Sequence, residues 1–422
     1  MALLRFDGAE YPDGANSDPE RAGWMQGSPP PPDRLIRFAD DRFLSFPQNR
    51  WALSHMRELI PTLNVPRGVG SASLLDGPSR GDVDAIESLV IGSMDGRRRS
   101  FLDALTETYV DGIAILHRGR LVYERYFGAL KPELPHLSFS LTKSYAATIA
   151  ATLVHEGAFK PDERVTSLLP ELAGTAYDTA SLRHLLDMEV GVVFNEDYAD
   201  PQAQVWTYAR AAGTRPRPAG DAGAAGIQEF LITLRGSVPH GTVFDYKSVN
   251  TEVLCWMMQR ATGKPFATLL SERLWGPMGC EFDGYVSVDP TGFAVGGSGL
   301  SVTLRDLARF GELMRCEGAR GGTQVVPPAV VAGIRRGGDR VKFAGAGYEL
   351  LPGYSYRDMW WVSHDEHEAF EGRGIHGQRL YVAPGAEMVV ARLASHPIAT
   401  SAAHDPITMP ALLALGRLLK GG

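Results

Sequence analysis

The chain has 422 residues, of which 44% are hydrophobic and 22% are charged, and its net charge is −7. This is the composition of a globular protein with two or three domains, or with one large core and an insertion. The densest basic stretch, "GRRRS" at 96–100, holds three arginines. Nucleic acid is therefore not an expected partner, because phosphate binding needs clustered Lys and Arg.

The cysteines and the apolar segments exclude further classes. Cys255, Cys280 and Cys316 are widely spaced and match neither a disulfide framework nor a zinc site. The apolar run at the N-terminus is broken by Arg5 and Asp7, so no signal peptide is predicted. No segment approaches the ~18 apolar residues of a membrane-spanning helix. We therefore expect a soluble, cytoplasmic protein that does not bind membranes.

Residues 1–75 are rich in Pro, Gly and Asp, with "SPPPPD" at 28–33. Such a segment cannot build a core of its own, so we predict an arm that wraps around the main body. Within it, a short helical rhythm at 50–62 ends at Pro61. Apolar residues at helical spacing in 82–108 then indicate one or two helices.

A β-hairpin is predicted at 109–128, where β-prone runs flank the turn signal Arg118-Gly119. Helical patterns dominate from 140 to about 290. Their clearest segments, with one more expected helix at the end, are 181–188, 227–235, 250–263, 265–279 and 300–315.

The last third of the chain returns to strands. Two β-prone runs in 379–395 flank the turn Pro384-Gly385, and a closing helix is expected near 407–420. Strands at both ends with helices between them predict an α/β (α+β) fold with one central antiparallel sheet flanked by helices. The sheet domain comprises 76–139 together with 290–422, and an all-helical subdomain at 140–289 is inserted. The active site is expected at their interface.

The stretch "LSFSLTKSYAATIAATLVHEGAF" (137–159) places Ser140 and Lys143 in the first turn of a helix that is apolar nearly all round. Ser140 could be an N-cap, Lys143 a solvated charge, or the two a nucleophile and its base. A buried lysine must be paired or lose its charge, and this spacing puts both side chains on one face. A neutral amine there could take the seryl proton. The spacing alone is common, and the capping interpretation is an equal alternative.

Two later segments bear on the choice. In "HGTVFDYKSVNTEVLCW" (240–256), Tyr246 precedes a helix and Ser248 follows two residues on. A phenol beside a lysine can shuttle a proton, although a core tyrosine is the more usual explanation of such a residue. The segment "EGRGIHGQRLYVAP" (371–384) is a glycine-dense approach to a strand, where backbone N–H groups could meet a substrate carbonyl. A plain turn is its alternative.

In this order the three segments resemble the serine β-lactamase and penicillin-binding-protein fold family, with its S-x-x-K, Y-x-N or S-x-N, and K-T-G motifs. The resemblance spans roughly residues 80–400. It is closest to the 6-aminohexanoate-dimer (nylon oligomer) hydrolases and related class C-like carboxylesterases. The stretches that carry it are "HLLDMEVGVVFNEDYADP" (184–201), "FDYKSVNTEVLCW" (244–256), "GGSGLSVTLRDLARFGELM" (296–314) and "GIHGQRLYVAPGAEMVVARL" (374–393).

The resemblance implies a serine hydrolase that cleaves small amides or esters through an acyl-enzyme, without a metal or organic cofactor. Ser140 would be the nucleophile, Lys143 its base, and Tyr246 the relay that delivers a proton to the leaving group. The backbone N–H groups of Ser140 and Ile375 would form the oxyanion hole. A shift of register would move the second donor to His376.

Substrate contacts are expected from Tyr198, Ser248 and His376. Tyr198 lies in the acidic loop "NEDYADP" (195–201), whose carboxylates could attract an amine-bearing substrate while the phenol bonds the scissile amide. A solvated surface loop is the alternative. The histidines of "SHDEHE" (363–368) are not spaced as in a known zinc motif, so no metal site is predicted.

Two departures from the β-lactamase pattern limit the substrate range. Ser248 stands where β-lactamases usually keep Asn, and the third motif, 372–374, lacks its lysine. Both argue against β-lactam turnover, although Arg373 could supply the missing charge. β-lactamase or D-amino-acid amidase or peptidase activity, and an inactive binding module of the same fold, are the alternative functions. A homodimer is left open.

Overall fold

The computed structural model describes residues 3–70, 72 and 75–421. Residues 1, 2, 71, 73 and 74 of the predicted arm therefore lie outside the described residues. In the described part, the strands in chain order are β1 Leu3–Phe6, β2 Ala9–Pro12, β3 Thr62–Val65, β4 Val90–Gly92, β5 Arg98–Ser100, β6 Val110–His117, β7 Arg120–Tyr126, β8 His136–Leu137, β9 Gly284–Ser287, β10 Leu300–Val302, β11 Ala319–Arg320, β12 Thr323–Gln324, β13 Ser355–Arg357, β14 Trp360–Val362, β15 Phe370–Gly374, β16 Gln378–Ala383 and β17 Met388–Ala394.

The helices of the same residues follow the predicted order. They are α1 Asn49–Ala52, α2 Arg80–Glu87, α3 Phe101–Glu107, α4 Leu141–His155, α5 Val165–Leu168, α6 Leu182–Leu186, α7 Gln204–Ala211, α8 Ile227–Ile232, α9 Val249–Thr262, α10 Phe266–Leu270, α11 Gly276–Met278, α12 Leu304–Arg315, α13 Pro328–Arg336, α14 Arg340–Ala344 and α15 Asp405–Gly421. None of the described helices is long and apolar enough to cross a membrane.

The centre of the fold is an antiparallel sheet in the order β13-β14-β15-β16-β17-β6-β7. The predicted hairpin forms β6 and β7, and its turn residues Arg118 and Gly119 have φ values of 51° and 77°. Two positive φ values are what a tight two-residue hairpin requires. Strand β17, from near the C-terminus, pairs with β6 and sets Val390 opposite Ile115. Strands from before and after the helical insertion therefore complete one sheet, as predicted.

Helices cover both faces of this sheet because successive side chains of a strand point to opposite sides. In β6, Ile113 and Ile115 join a cluster with α3 and α15, whereas Ala114 and Leu116 join a larger cluster with α4 and α12. The result is a three-layer arrangement of helix, sheet and helix, which confirms the predicted fold class.

The segment between β8 and β9 is mostly helical and packs into the larger of the two clusters. Residues 141–153 of α4 and 249–258 of α9 are all buried. This is the inserted helical part of the predicted fold. Its exact limits, 140 and 289, stay a prediction, as does the division of the sheet domain.

The N-terminal segment takes its core from the rest of the molecule. Trp24, Phe43 and Trp51 cluster with Phe139 and Tyr285 of the main body. Strand β3 pairs with β9, which adds this segment to a second antiparallel sheet of order β3-β9-β10-β8. It is therefore attached through both side chains and backbone.

The predicted helix at 300–315 is wrong over its first residues. Strand β10 pairs with β8, with Ser301 opposite Leu137. The helix begins only after Thr303, whose hydroxyl accepts a hydrogen bond from the Asp306 N–H and so caps α12. Strand pairing from a distant segment overrides the local apolar pattern here.

Candidate active site

Ser140 lies directly after a tight turn that joins β8 to α4. The Ser138 N–H donates to the Leu300 carbonyl at 2.8 Å, which fixes the end of β8 to β10. Phe139 then has a left-handed backbone with φ 47°. A non-glycine residue holds this conformation only where the surrounding structure imposes it, and such residues concentrate at functional sites.

The glycines of β15 let the sheet approach this turn closely. A Cβ on Gly374 would lie 2.6 Å from the Ser138 carbonyl oxygen, and one on Gly372 would lie 2.4 Å from a methyl carbon of Leu141. Any side chain at these positions would push β15 away from the turn. The glycine-dense third segment is therefore required by packing beside Ser140.

The Ser140 hydroxyl accepts no hydrogen bond from the helix backbone, so it does not cap α4. Instead, Lys143 Nζ donates to Ser140 Oγ at 2.9 Å and to the Gly297 carbonyl oxygen at 2.7 Å. Lys143 is 1% exposed and Ser140 is 9% exposed. The structure therefore excludes the capping and solvated-charge interpretations and leaves a buried hydroxyl–amine pair.

The electrostatics of Lys143 are dominated by burial. Desolvation lowers the pKa of Lys143 to about 8, whereas the carboxylates of Glu196 and Glu252 act in the opposite direction. With this pKa, roughly one-tenth of the amine is neutral at pH 7. That fraction can accept a proton from a neighbouring hydroxyl.

Tyr246 completes the group. Lys143 Nζ lies 5.1 Å from the centroid of the Tyr246 ring, and the Trp361 ring packs on that phenol at 5.4 Å between centroids. Burial and the charge of Glu196 raise the pKa of Tyr246 well above its usual value, while hydrogen bonding to Ser140 acts against them. Tyr246 is thus a neutral phenol close to Lys143 and Ser140, and the structure brings all three predicted side chains together.

The predicted oxyanion donors are the backbone N–H groups of Ser140 and Ile375. Within the described part of the chain, the Ser140 N–H has no hydrogen-bond acceptor. Ile375 packs near Phe139 and begins the 3-10 turn Ile375–Gly377, whose first N–H groups have no acceptor inside the turn. The alternative donor, the His376 N–H, already donates to the Ala399 carbonyl at 2.9 Å. Ile375 as the second donor stays a prediction, and His376 is disfavoured.

The loop at 195–201 reaches the site through Glu196. The Ser248 N–H and hydroxyl donate to its two carboxylate oxygens at 2.6 and 2.5 Å, and the Tyr198 hydroxyl donates at 3.0 Å. Glu196 is therefore fully engaged by the protein, and the Ser248 hydroxyl proton is committed to it. Tyr198 is held beside the second motif, where a substrate contact stays a prediction.

Two other acidic residues of this loop shape its backbone. Asp197 accepts a hydrogen bond from the Ala199 N–H at 2.9 Å, and Asp200 accepts one from the Gln202 N–H at 2.8 Å. The Asp197 side chain is exposed. A charge therefore remains available on the outer side of the loop.

His376 is buried, and its ring Nδ1 lies 2.7 Å from the His396 carbonyl oxygen. Burial lowers the pKa of His376 to about 4, so the ring is neutral and donates its Nδ1 proton to that carbonyl. The ring packs 5.4 Å from that of Phe139. The structure thus shows His376 supporting the turn of Ser140, and a contact with substrate stays a prediction.

Arg373 does not offer a free charge to a ligand. Its guanidinium donates to Glu371 at 3.0 Å and to Asp405, and both carboxylates are buried. The same carboxylates bind Arg379. Arg373 is therefore paired with carboxylates in the core, which disfavours it as a replacement for the missing lysine of the third motif.

Glu252 and the aromatic residues around Tyr246 are not predicted from the sequence. Glu252 is wholly buried on α9. Its only sequence signal is an acidic residue inside the apolar run "NTEVLCWMM". Tyr348 and Tyr356 each pack within about 5 Å of Trp361 at their ring centroids. They come from distant segments, so no local pattern indicates them.

In the described residues, no group of three or more His, Cys, Asp or Glu side chains could hold a metal ion. The histidines of "SHDEHE" have other partners. His364 lies 2.8 Å from the Ser355 hydroxyl, and His367 lies 3.1 Å from the Leu413 carbonyl oxygen.

Comparisons with known proteins show the family and the fold of the chain. The Beta-lactamase family model matches residues 101–409. The chain is 34% identical over 391 residues to a 6-aminohexanoate-dimer hydrolase of Paenarthrobacter ureafaciens, which covers 92% of this chain and 91% of that protein. The structure of a putative 6-aminohexanoate-dimer hydrolase from Bacillus anthracis superposes with a TM-score of 0.82 at 28% identity, covering 91% of this chain and 97% of that one.

A family VIII carboxylesterase shares the fold at a TM-score of 0.59 and 15% identity, over 81% of this chain and 99% of that one. The chain belongs to the Beta-lactamase family. It is a serine hydrolase with the fold of the β-lactamases and penicillin-binding proteins.

The buried amine predicts the pH dependence of the reaction. We expect the neutral form of Lys143 to accept the seryl proton, so kcat/KM for a short nitrophenyl ester should rise with pH along a limb with apparent pKa near 8. The measurement is a kcat/KM profile corrected for spontaneous hydrolysis. A profile already flat about one unit below that pKa would contradict a base with this titration.

Proposed function

We propose that the protein hydrolyses small amides and esters through an acyl-enzyme on Ser140. The observation that carries the proposal is the 2.9 Å hydrogen bond between Lys143 Nζ and Ser140 Oγ in a site from which bulk water is largely excluded. A serine hydroxyl is a weak nucleophile unless an adjacent base removes its proton. Lys143, with its lowered pKa, supplies that base.

Acylation transfers one proton and forms one bond. The neutral Lys143 amine accepts the Ser140 proton while Oγ bonds to the substrate carbonyl carbon, whose oxygen becomes an oxyanion. The N–H groups of Ser140 and Ile375 stabilise that charge. The new ammonium keeps the Gly297 carbonyl as its second acceptor.

Collapse of the tetrahedral intermediate breaks the bond to the leaving group. An amine cannot depart as an anion, so the Tyr246 phenol donates a proton to it and is reprotonated by the Lys143 ammonium. A water molecule then attacks the acyl-enzyme carbonyl and gives up a proton to the regenerated base. The second tetrahedral intermediate then breaks its bond to Ser140 Oγ, which takes the proton back from the Lys143 ammonium as the acid leaves.

The substrate class that fits best is a linear amide or ester with an amino group, such as the 6-aminohexanoate linear dimer. The 34% identical relative carries that name and spans nearly the whole chain. The exposed carboxylate of Asp197 can attract an ammonium group, while Tyr198 lies beside the second motif. Glu196 is not proposed as the ammonium site, because the protein already satisfies its oxygens.

The proposed function also implies which partners the enzyme has and where it is located. A small molecule is the partner, without a metal, an organic cofactor, nucleic acid or a membrane, and a homodimer is compatible with the proposal. A cytoplasmic location is supported by three cysteines that are all free. Two of them, Cys255 and Cys280, are buried.

A β-lactamase or D-amino-acid amidase or peptidase is the second candidate, supported by the fold. The neutralised Arg373 disfavours substrates that need a cation for their carboxylate. An inactive binding module is disfavoured because Lys143 contacts both Ser140 and the Tyr246 ring, so all three side chains are present and close together.

The nucleophile is tested by Ser140→Ala. Ester turnover should fall by several orders of magnitude, leaving only the roughly 10³-fold advantage over water that binding and the oxyanion hole provide. Lys143→Ala should be nearly as damaging. The readouts are kcat/KM and the acyl-enzyme mass after a quenched burst.

Ser144→Ala is the matched control for this test. Ser144 lies one turn further along α4, and its hydroxyl donates to the Met359 carbonyl at 2.9 Å. Its loss should leave the burst intact. If acyl-enzyme still accumulated in Ser140→Ala, Ser140 could not be the nucleophile.

Replacing Tyr246 or Tyr198 should affect ester and amide substrates to different degrees, because their leaving groups differ. Tyr246→Phe should impair esters and amides, with amides hit harder because their nitrogen must be protonated to depart. Tyr198→Phe should leave nitrophenyl esters nearly intact and reduce amide turnover about tenfold or more, as expected for one hydrogen bond of ~1.4 kcal/mol. The measurement is the ratio of ester to amide kcat/KM in each variant. Equal losses for Tyr198→Phe would make 195–201 a surface loop only.

The missing lysine of the third motif predicts which substrates have the highest kcat/KM. Penicillin and cephalosporin hydrolysis should be slow or absent while short esters turn over readily, because no free cation replaces the motif's lysine. The test is a panel of nitrophenyl esters, the 6-aminohexanoate linear dimer, D-amino-acid amides and a chromogenic cephalosporin. If the cephalosporin had the highest kcat/KM, the proposed substrate class would be wrong.

A further inference from the structure

Lys143 has two hydrogen-bond acceptors, and only one of them belongs to the predicted catalytic group. The second is the Gly297 carbonyl oxygen, 2.7 Å from Nζ. A carbonyl on a glycine loop can orient an amine only if that loop is itself fixed. The contacts of 296–297 therefore matter for the alignment of the amine.

One carboxylate fixes this backbone. Glu252 Oε2 accepts the Gly296 N–H at 2.9 Å, and Oε1 accepts the Gly297 N–H at 2.8 Å. Tyr208 donates its hydroxyl to the same Oε1 at 2.5 Å. Glu252 is 0% exposed, so these three donors replace water around a buried anion.

The two glycines are needed for this contact. A Cβ on Gly297 would lie 2.8 Å from Glu252 Oε1, and a Cβ on Gly296 would lie 2.2 Å from Cys255 Sγ. Glu252 and Cys255 are both on α9, the helix that follows the second motif. The loop therefore lies directly on that helix, and "GGSGL" at 296–300 has a structural explanation.

We propose that Glu252 is a positioning residue of the hydrolytic site. Its carboxylate holds the 296–297 backbone so that the Gly297 carbonyl keeps Lys143 Nζ within hydrogen-bond distance of Ser140 Oγ. The inference rests on the proposed function, because it takes Lys143 as the base. Glu252 acts through the loop and does not touch the reacting atoms.

The same carboxylate also acts on the titration of the amine. Glu252 and Glu196 are the charges that raise the pKa of Lys143 against its desolvation. Burial raises the pKa of Glu252 to about 7, while the bonds from Tyr208 and the two glycines and the charge of Lys143 oppose that rise.

The other titratable groups near this pair remain neutral. Burial raises the pKa values of Tyr177, Tyr208 and Cys255, which lie beside Glu252, and that of Tyr246, which lies over Lys143. Within this cluster, the shifted pKa values nearest to neutral pH are those of Glu252 and Lys143.

The test is Glu252→Gln in the full chain. A glutamine keeps the size but has one oxygen for two backbone N–H groups, and it carries no charge. The maximal kcat for a nitrophenyl ester should fall at least about tenfold, with KM changed by less than about twofold. The acidic limb of kcat/KM should move to lower pH, because one of the two charges that raise the pKa of Lys143 is gone.

Glu189→Gln is the matched control. Glu189 is a partly buried carboxylate paired with Lys342 at 2.8 Å, and it is not among the groups that act on Lys143. In that variant, the maximal kcat and the pH position of the acidic limb of kcat/KM should both be unchanged. A loss of kcat in Glu252→Gln without a shift of the limb, accompanied by a lower Tm, would show a merely structural role and overturn the inference.

Tyr208→Phe keeps the inference testable if Glu252→Gln does not fold. It retains the carboxylate and both glycine bonds but removes a donor that lowers the pKa of Glu252. The carboxyl is then protonated over a wider pH range, so the limb should shift in the same direction by a smaller amount. An unchanged limb in this variant would overturn the inference. The proposed function fails on a different result, acylation in Ser140→Ala.

Discussion

The site depends on an amine that the fold withdraws from water. A buried charge is costly unless it is paired, yet Lys143 contacts a hydroxyl and a backbone carbonyl rather than a carboxylate. Desolvation therefore outweighs the charges of Glu196 and Glu252. A carboxylate in direct contact would have held the ammonium in its charged form and removed the base. Carboxylates one layer away moderate the shift without abolishing it.

The same arrangement explains why three distant parts of the chain must meet at close range. Lys143 lies on α4, its second acceptor lies in the loop before β10, and Glu252 of α9 holds that loop. Glycines occur where backbone touches side chain, as at Gly297, and where the sheet touches the turn of Ser140, as at Gly374. The close approaches are consequences of packing groups around one small amine, and larger side chains at these points would separate the layers.

Local patterns predicted what local geometry determines. The hairpin turn at Arg118, the helices and the Ser140–Lys143 spacing all depend on neighbours within a few residues, and the sequence was sufficient for them. The strand at 300–302 depends on pairing with β8, so its apolar pattern was misread as helix. Glu252 was missed because its glycine partners are 44 and 45 residues further along the chain. A buried acidic residue signals that a partner exists but does not say which one.

The two departures from the β-lactamase motifs, Ser248 and the missing lysine of the third motif, both concern the charges around the site. The guanidinium of the third segment, Arg373, is paired with the buried carboxylates of Glu371 and Asp405, which limits its attraction for a ligand's carboxylate. Ser248, in the second motif, donates hydrogen bonds from its hydroxyl and its N–H to Glu196. That bond draws an acidic loop against the site in place of an amide side chain. Both differences bear on the proposed substrate class, because an acidic loop favours a ligand with a free amino group over one recognised by its carboxylate.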